Sequence, residues 1–142
     1  MKKVLFVCRD NASAGPMAES FLNRFGHGEF RAESVGAAPE PIDPVVVQAM
    51  RELDLDVSWH KPKSADEIPP VGDYDYVIEL DSSGVRVKDL SAGGAQKRIR
   101  WELRDETPNN EDRLETIRHL RDALRRRTKQ FVRSFDIVVD EG

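Results

Sequence analysis

A single cysteine, Cys8, stands in 142 residues. That scarcity excludes an internal disulfide, and with it the stapled folds of oxidising compartments. Long apolar runs are missing too. Nothing approaches the roughly 18 apolar residues that a membrane-spanning helix needs. The apolar start Val4-Leu5-Phe6-Val7 is cut by Arg9 and Asp10, well short of the about 7–15 residues of a signal-peptide core. No membrane partner and a cytoplasmic setting are therefore expected. Basic excess is also lacking: 22 Lys and Arg face 26 Asp and Glu, for a net charge of −4. Nucleic acid is accordingly not an expected partner. Neither Gly-x-x-x-x-Gly-Lys-Ser/Thr nor Gly-x-Gly-x-x-Gly occurs, which removes the familiar nucleotide loops. His27, His60 and His119 show no ligand spacing with Cys8, so neither a metal nor a cofactor is expected. His60 reads as a packing or hydrogen-bonding histidine.

What is present suits one globular domain. Hydrophobic residues make up 39% and charged residues 34% of the chain, and a chain this long buries roughly 68–70% of its unfolded surface. The domain is expected over residues 1–135, with 136–142 as a tail or an added strand. Val4 to Val7 reads as a strand buried on both faces of a parallel sheet. Pro16 suits the first position of a helix, with Ala18, Phe21, Leu22 and Phe25 on its apolar face and Gly26 and Gly28 ending it. A second strand is expected over 30–35 and a helix opening at Pro44, with Val45, Val46, Ala49, Met50 and Leu53 inward. Strands follow over 74–80 and 98–103. Asn109 or Asn110 is expected to cap the last helix, whose inner face carries Leu114, Ile117, Leu120 or Arg121, Leu124, Phe131 and Phe135. Its later basic residues, Arg125, Arg126, Arg127, Lys129 and Arg133, read as a solvated face matched to the negative helix end. Alternating strands and helices imply an α/β, doubly wound three-layer sandwich with a parallel sheet, whose ligands sit at the carboxyl ends of the strands.

Cys8 falls where that rule places chemistry, between a strand and a helix start. Free backbone N–H groups and the helix dipole make such a turn an anion site, and the same field favours the reactive thiolate. A buried, inert strand-end cysteine is the plain alternative.

The stretch Cys8-Arg9-Asp10-Asn11-Ala12-Ser13-Ala14-Gly15-Pro16-Met17-Ala18-Glu19 resembles the phosphate loop of the low-molecular-weight tyrosine phosphatases and related arsenate reductases, Cys-x-x-Asn-x-Cys-Arg-Ser-Pro continuing Met-Ala-Glu. Glu33-Ser34-Val35-Gly36 is similar to the family's second-strand Glu-Ser-Ala-Gly, and His60-Lys61-Pro62-Lys63-Ser64 to its His-x-x-Lys-Ser segment. Tyr74 to Asp81 and Trp101 to Asp105 resemble the third strand and the segment carrying the acid. The resemblance implies a four-stranded parallel sheet. It implies Cys8 as nucleophile, Asn11 as loop brace and Asp105 as general acid. The backbone from Arg9 through Asp10, Asn11, Ala12, Ser13, Ala14 and Gly15 would hold a phosphate-like oxyanion or a phosphorylated ligand. No protein partner is implied.

The departures are as informative. Ala14 stands where the family has the arginine that clamps two oxygens with its planar fork. Gly15 replaces the hydroxyl residue, Ser13 the second cysteine, and Glu106 the proline after the acid. By analogy with other arginine contacts to a transferring phosphoryl group, the loss costs about 10³–10⁵ in rate. Asp10 opposes a bound anion, and Arg9, at the pocket mouth, is the candidate substitute cation. The expectation is thus a pseudoenzyme, with weak or no phosphatase activity and an anion-binding or regulatory role. The alternatives are an active cysteine-dependent phosphatase or arsenate reductase using a substitute cation, and a phosphocysteine carrier. An intramolecular arsenate relay lacks its further cysteines, since Asp81-Ser82-Ser83-Gly84 follows the third strand.

Overall fold

The computed structural model describes residues 1–9, 13–36, 38–64, 67, 73–81, 97–103, 112–135, 137 and 139. Along the chain these form β1 (Lys2–Cys8), α1 (Ala14–Phe25), β2 (Phe30–Gly36), α2 (Pro44–Arg51), β3 (Tyr76–Asp81), β4 (Lys97–Glu102) and α3 (Arg113–Arg133). The four strands make one parallel sheet in the order β2-β1-β3-β4, flanked by helices as a three-layer sandwich. β1 is interior, and Val4, Leu5, Phe6 and Val7 are each no more than 1% exposed. A strand covered on both faces has no need of alternation, which is why its sequence is uninterrupted apolar. From β1 the chain turns one way to β2 and later the other way to β3. Cys8 therefore ends its strand at the point where the winding reverses, where open α/β sheets bind ligands.

The helix ends show why the sequence folds this way locally. α1 begins at Ala14, two residues earlier than Pro16 suggests. Pro16 still lies in the first turn, where its missing N–H would have had no helical partner. Gly26 closes the helix, donating its N–H to Leu22 O at 2.9 Å. A Cβ there would lie 2.8 Å from both Leu22 O and a Phe30 ring carbon, so only glycine lets β2 follow so closely. α2 is capped by Asp43, whose Oδ1 accepts from Val45 N at 2.9 Å. The cap of α3 is Asp112, whose carboxylate accepts from Leu114 N and Glu115 N. Asn109 and Asn110, expected in that role, lie outside the described residues. The aspartate adds a full negative charge to the positive helix end, which a neutral asparagine lacks.

α3 lays Ile117, Leu120, Leu124, Phe131 and Val132 into the core. Leu120 and Arg121, read as alternatives for one inward position, are both buried. Arg121 is tolerated because Nη1 donates to Ala49 O at 2.9 Å and to Glu52 Oε1 at 2.7 Å, fastening α3 to the end of α2. At the amino edge of the sheet, Phe131 and Phe135 pack against Phe30 and Tyr76 with ring centroids 5.2–5.7 Å apart, separations typical of favourable edge-on pairs. Val139 is buried there too, and Ile137 packs against the same core.

Candidate active site

Cys8 is the last residue of β1 and 4% exposed. Its register partner is Gly36, the last residue of β2, and its Sγ lies 3.6 Å from the Val35 carbonyl, to which the thiol donates. The sulfur is thus held at the carboxyl edge of the sheet by the strand itself. Arg9, exposed, leaves that edge, and its carbonyl accepts from Ala38 N at 2.8 Å. On the far side of β2, Gly36 N donates to Lys63 O at 2.9 Å, so the segment carrying His60, Lys61 and Lys63 lies alongside. His60 is buried, as read from its sequence context.

The helix side of the site begins at Ser13, the N-cap of α1, whose side chain makes no capping bond. Ala14 and Gly15 follow as the first two helical residues, both buried. The methyl of Ala14 belongs to the hydrophobic core, so this position presents no charge and no donor from its side chain. The start of α1 still supplies the positive end of a helix dipole beside the strand end that carries the sulfur. Asp10, Asn11, Ala12 and Asp105 lie outside the described residues. β4 reaches the same carboxyl edge at Glu102.

Sequence reasoning gave no role to a buried polar pair under this edge. Glu19, one turn into α1 and 4% exposed, accepts a 2.9 Å hydrogen bond from the hydroxyl of fully buried Ser34. Burial pushes the Glu19 carboxyl above the usual range. The Ser34 hydroxyl and the Lys63 charge oppose that rise, and Glu33 adds to it. The pair locks the first turns of α1 to β2 next to the carbonyl that Cys8 addresses. Both residues were visible only as parts of motifs, Pro-Met-Ala-Glu and Glu-Ser-Val-Gly. An acid within an otherwise apolar helix start was the one available signal. Among the described residues, no group of three or more His, Cys, Asp or Glu could hold a metal ion. No helix among them is long and apolar enough to cross a membrane.

A cysteine stands at the reversal point of a β2-β1-β3-β4 sheet, just before a helix start, and the chain matches the family model for low molecular weight phosphotyrosine protein phosphatase over residues 3–139. The chain belongs to this family. Its relatives narrow the picture. A glutaredoxin arsenate reductase of Synechocystis sp. is 30% identical over 134 residues, covering 93% of this chain and 97% of the relative. A solved arsenate reductase in its phosphate-binding state is 26% identical with a TM-score of 0.78, covering 94% of this chain and 98% of that one. An arsenate reductase from Archaeoglobus fulgidus is 27% identical with a TM-score of 0.69, covering 91% and 98%.

These matches overturn the expectation of a pseudoenzyme. Along nearly its whole length the chain resembles working oxyanion enzymes, arsenate reductases one after another. The inference from Ala14 weighed one cation as if it were the whole site. The free backbone N–H groups at a helix start also favour an anion, and no side-chain substitution removes them.

Proposed function

We propose that the chain is an arsenate reductase that uses Cys8 as its nucleophile and draws its electrons from thiols outside the chain. The observation that supports this reading is a lone cysteine, placed at the strand end, in a chain that resembles arsenate reductases over nearly its full length. In this reading the backbone from Arg9 to Gly15 cradles the oxyanion, with Arg9 as the substitute cation. Asn11 braces the loop, and Asp105 supplies the proton that carries away an oxygen as water.

The steps balance without a second cysteine. The Cys8 thiolate forms a sulfur–arsenic bond to arsenate, and one arsenate oxygen leaves as water. An external thiol adds to the same arsenic with loss of a second water. A second external thiol then attacks the sulfur of the first, forming a disulfide and leaving two electrons on arsenic. Water releases arsenite and restores the Cys8 thiol. Two external thiols are oxidised and one As(V) becomes As(III), with one net water formed. The Synechocystis relative is a glutaredoxin arsenate reductase, which accords with such a donor. Arsenate also tolerates the loss at position 14 better than phosphate does, because As(V) exchanges its oxygen ligands far more readily than phosphorus. Less of the barrier then rests on a bidentate arginine.

A second reading, an aryl phosphate monoesterase with the same Cys8 and Asp105, is favoured by the family model itself. Two assays on purified protein separate the readings. Arsenate reduction with glutathione and glutaredoxin, abolished by Cys8→Ser, is the expected result, together with weak hydrolysis of p-nitrophenyl phosphate. Strong Cys8-dependent hydrolysis without arsenate reduction would replace this proposal with the phosphatase. A stable phosphothiol on Cys8 without either turnover would point to a carrier.

A further inference from the structure

Trp59 stands in solvent, 59% exposed, and among the described residues Met1 is the only other large hydrophobic side chain left out in this way. A single exposed apolar residue needs no explanation, but this one is neither solitary nor loose. Its indole N–H donates to Asp56 O at 2.7 Å. The turn beneath it is pinned as well, Asp56 Oδ1 accepting from Ser58 N at 2.9 Å and from Ser58 Oγ at 2.6 Å. The ring's one donor is therefore satisfied within the chain, and little side-chain freedom is left to lose when its faces are covered. A rigid aromatic of this kind suits the anchor of a protein interface. Next to it Ser58 borders a groove of about 410 Å³ along α2, with Ile42, Pro44 and Val47 as apolar walls and Gln48 and Arg51 completing it.

This surface is continuous with the Cys8 edge. The groove begins at Ile42 and Pro44, on the connection that leaves β2 where Ala38 N donates to Arg9 O at 2.8 Å. Trp59 stands four residues before Lys63, whose carbonyl accepts from Gly36 N, and Gly36 is the register partner of Cys8. Four residues span at most about 14 Å, and the two steps between neighbouring chains add about 5 Å each. Trp59 Cα thus lies within roughly 24 Å of Cys8 Cα. A standard interface covers about 800 Å² on each partner, a disc about 32 Å across, so one protein seated on Trp59 also reaches the Cys8 edge. Along that path the described charges are Lys61, Lys63 and Arg9, all cationic. On the connection after β2, Glu40 is exposed, while Asp43 is paired with Arg113. Cations beside an arriving thiol favour its reactive, ionised form.

We propose that Trp59 and this groove dock the protein that delivers the second external thiol to the adduct on Cys8, a reduced glutaredoxin presenting apolar and acidic surface around its cysteine. The proposal rests on the reductase reading above. Cys8 is the chain's one cysteine, so both reducing electrons arrive from outside. A small thiol can add to arsenic unaided, but a protein thiol must be held at the edge. Once docked, its thiolate attacks the sulfur of the arsenic-bound thiol. The new S–S bond replaces the S–As bond, whose electron pair stays on arsenic as As(III).

Steady-state arsenate reduction by the full chain tests this with two donors: glutaredoxin kept reduced by glutathione, and dithiothreitol, a small dithiol that needs no docking. Trp59→Ser and Val47→Glu are each expected to raise KM for glutaredoxin about 10- to 100-fold, as loss of an interface anchor does. The kcat and the dithiothreitol rate should not change, which also shows that both variants fold. Lys61→Glu is expected to raise the same KM and to lessen its dependence on salt. An unchanged KM for glutaredoxin in Trp59→Ser would overturn the proposal. So would an equal loss with dithiothreitol, which would make Trp59 a support of the Cys8 site. Reduction driven by dithiothreitol but not by glutaredoxin would refute the docking and spare the reductase reading. No reduction with either donor would sink that reading and this one with it. A dimer in sedimentation that Trp59→Ser dissociates, with KM unchanged, would assign the surface to a second copy of the chain and equally refute the proposal.

Discussion

Replacing Ser34 by alanine removes one hydroxyl from a fully buried position beneath the Cys8 edge, and its cost is calculable. The hydroxyl donates to Glu19 Oε1 at 2.9 Å, and hydrogen bonds to charged groups contribute about 1.5–3 kcal/mol. The cavity left is smaller than a methyl group, so the lost bond dominates over lost packing. The cost must depend on pH. Burial raises the folded pKa of Glu19 above 4.5, with the Ser34 bond opposing that rise. A carboxyl whose folded pKa is raised contributes stability at low pH that is lost as pH rises through the folded value. The Ser34 bond favours the ionised form, so Ser34→Ala costs most when Glu19 is ionised and less as it becomes protonated. Urea unfolding should therefore show a penalty of about 1.5–3 kcal/mol at a pH above the folded pKa of Glu19, shrinking as pH falls through it. In a Glu19→Gln background the side chain still accepts from Ser34 but cannot titrate. The Ser34→Ala penalty there should fall to about 0.5–1.5 kcal/mol, the value for a neutral pair, and hold constant across the same range. An equal penalty on both sides of that pKa in the wild-type background would refute the assignment of an ionised, hydrogen-bonded Glu19.

Two further predictions concern α3. Thr128 is fully buried and its hydroxyl has no hydrogen-bond partner among the described residues, so Thr128→Val, similar in shape, should stabilise the protein by about 1 kcal/mol, read as a higher urea midpoint with unchanged slope. A lower midpoint would mean that the hydroxyl is satisfied. The carboxyl of Glu52 is held down to about 2, first by the bond from Arg118 and then by that from Arg121. A depressed carboxyl contributes stability above its unfolded pKa that is lost as pH falls through the folded value. Glu52→Gln should therefore weaken the fold at neutral pH and flatten its loss between about pH 4.5 and 2. An acid-unfolding curve parallel to the wild type would contradict this.

The sequence by itself determined the strand and helix order and the placing of the lone cysteine at a strand end. The short uninterrupted apolar run before Cys8 reads as a strand covered on both faces, Pro44 suits a first helical turn because it lacks an N–H, and Gly26 suits a helix end because a Cβ there would meet Leu22 O and Phe30. The tertiary structure decided what local pattern cannot carry. It chose Asp112 as the cap, and it buried Arg121 because α2 offers a carbonyl and a carboxylate across the interface. It also paired Glu19 with Ser34 across 15 positions. The basic stretch of α3 shows the same division. Arg125, Arg126 and Arg133 read as a solvated helix face in one dimension, because helical spacing reports only their own element, and the tertiary structure adds Leu53, from beyond α2, at its border. At Cys8 the order is reversed. The sequence pattern located the thiol and the family resemblance exposed the missing arginine, while the relatives of the whole fold corrected what that absence meant. The positive potential of a helix start comes from its free backbone N–H groups rather than from any single side chain, and those belong to the fold.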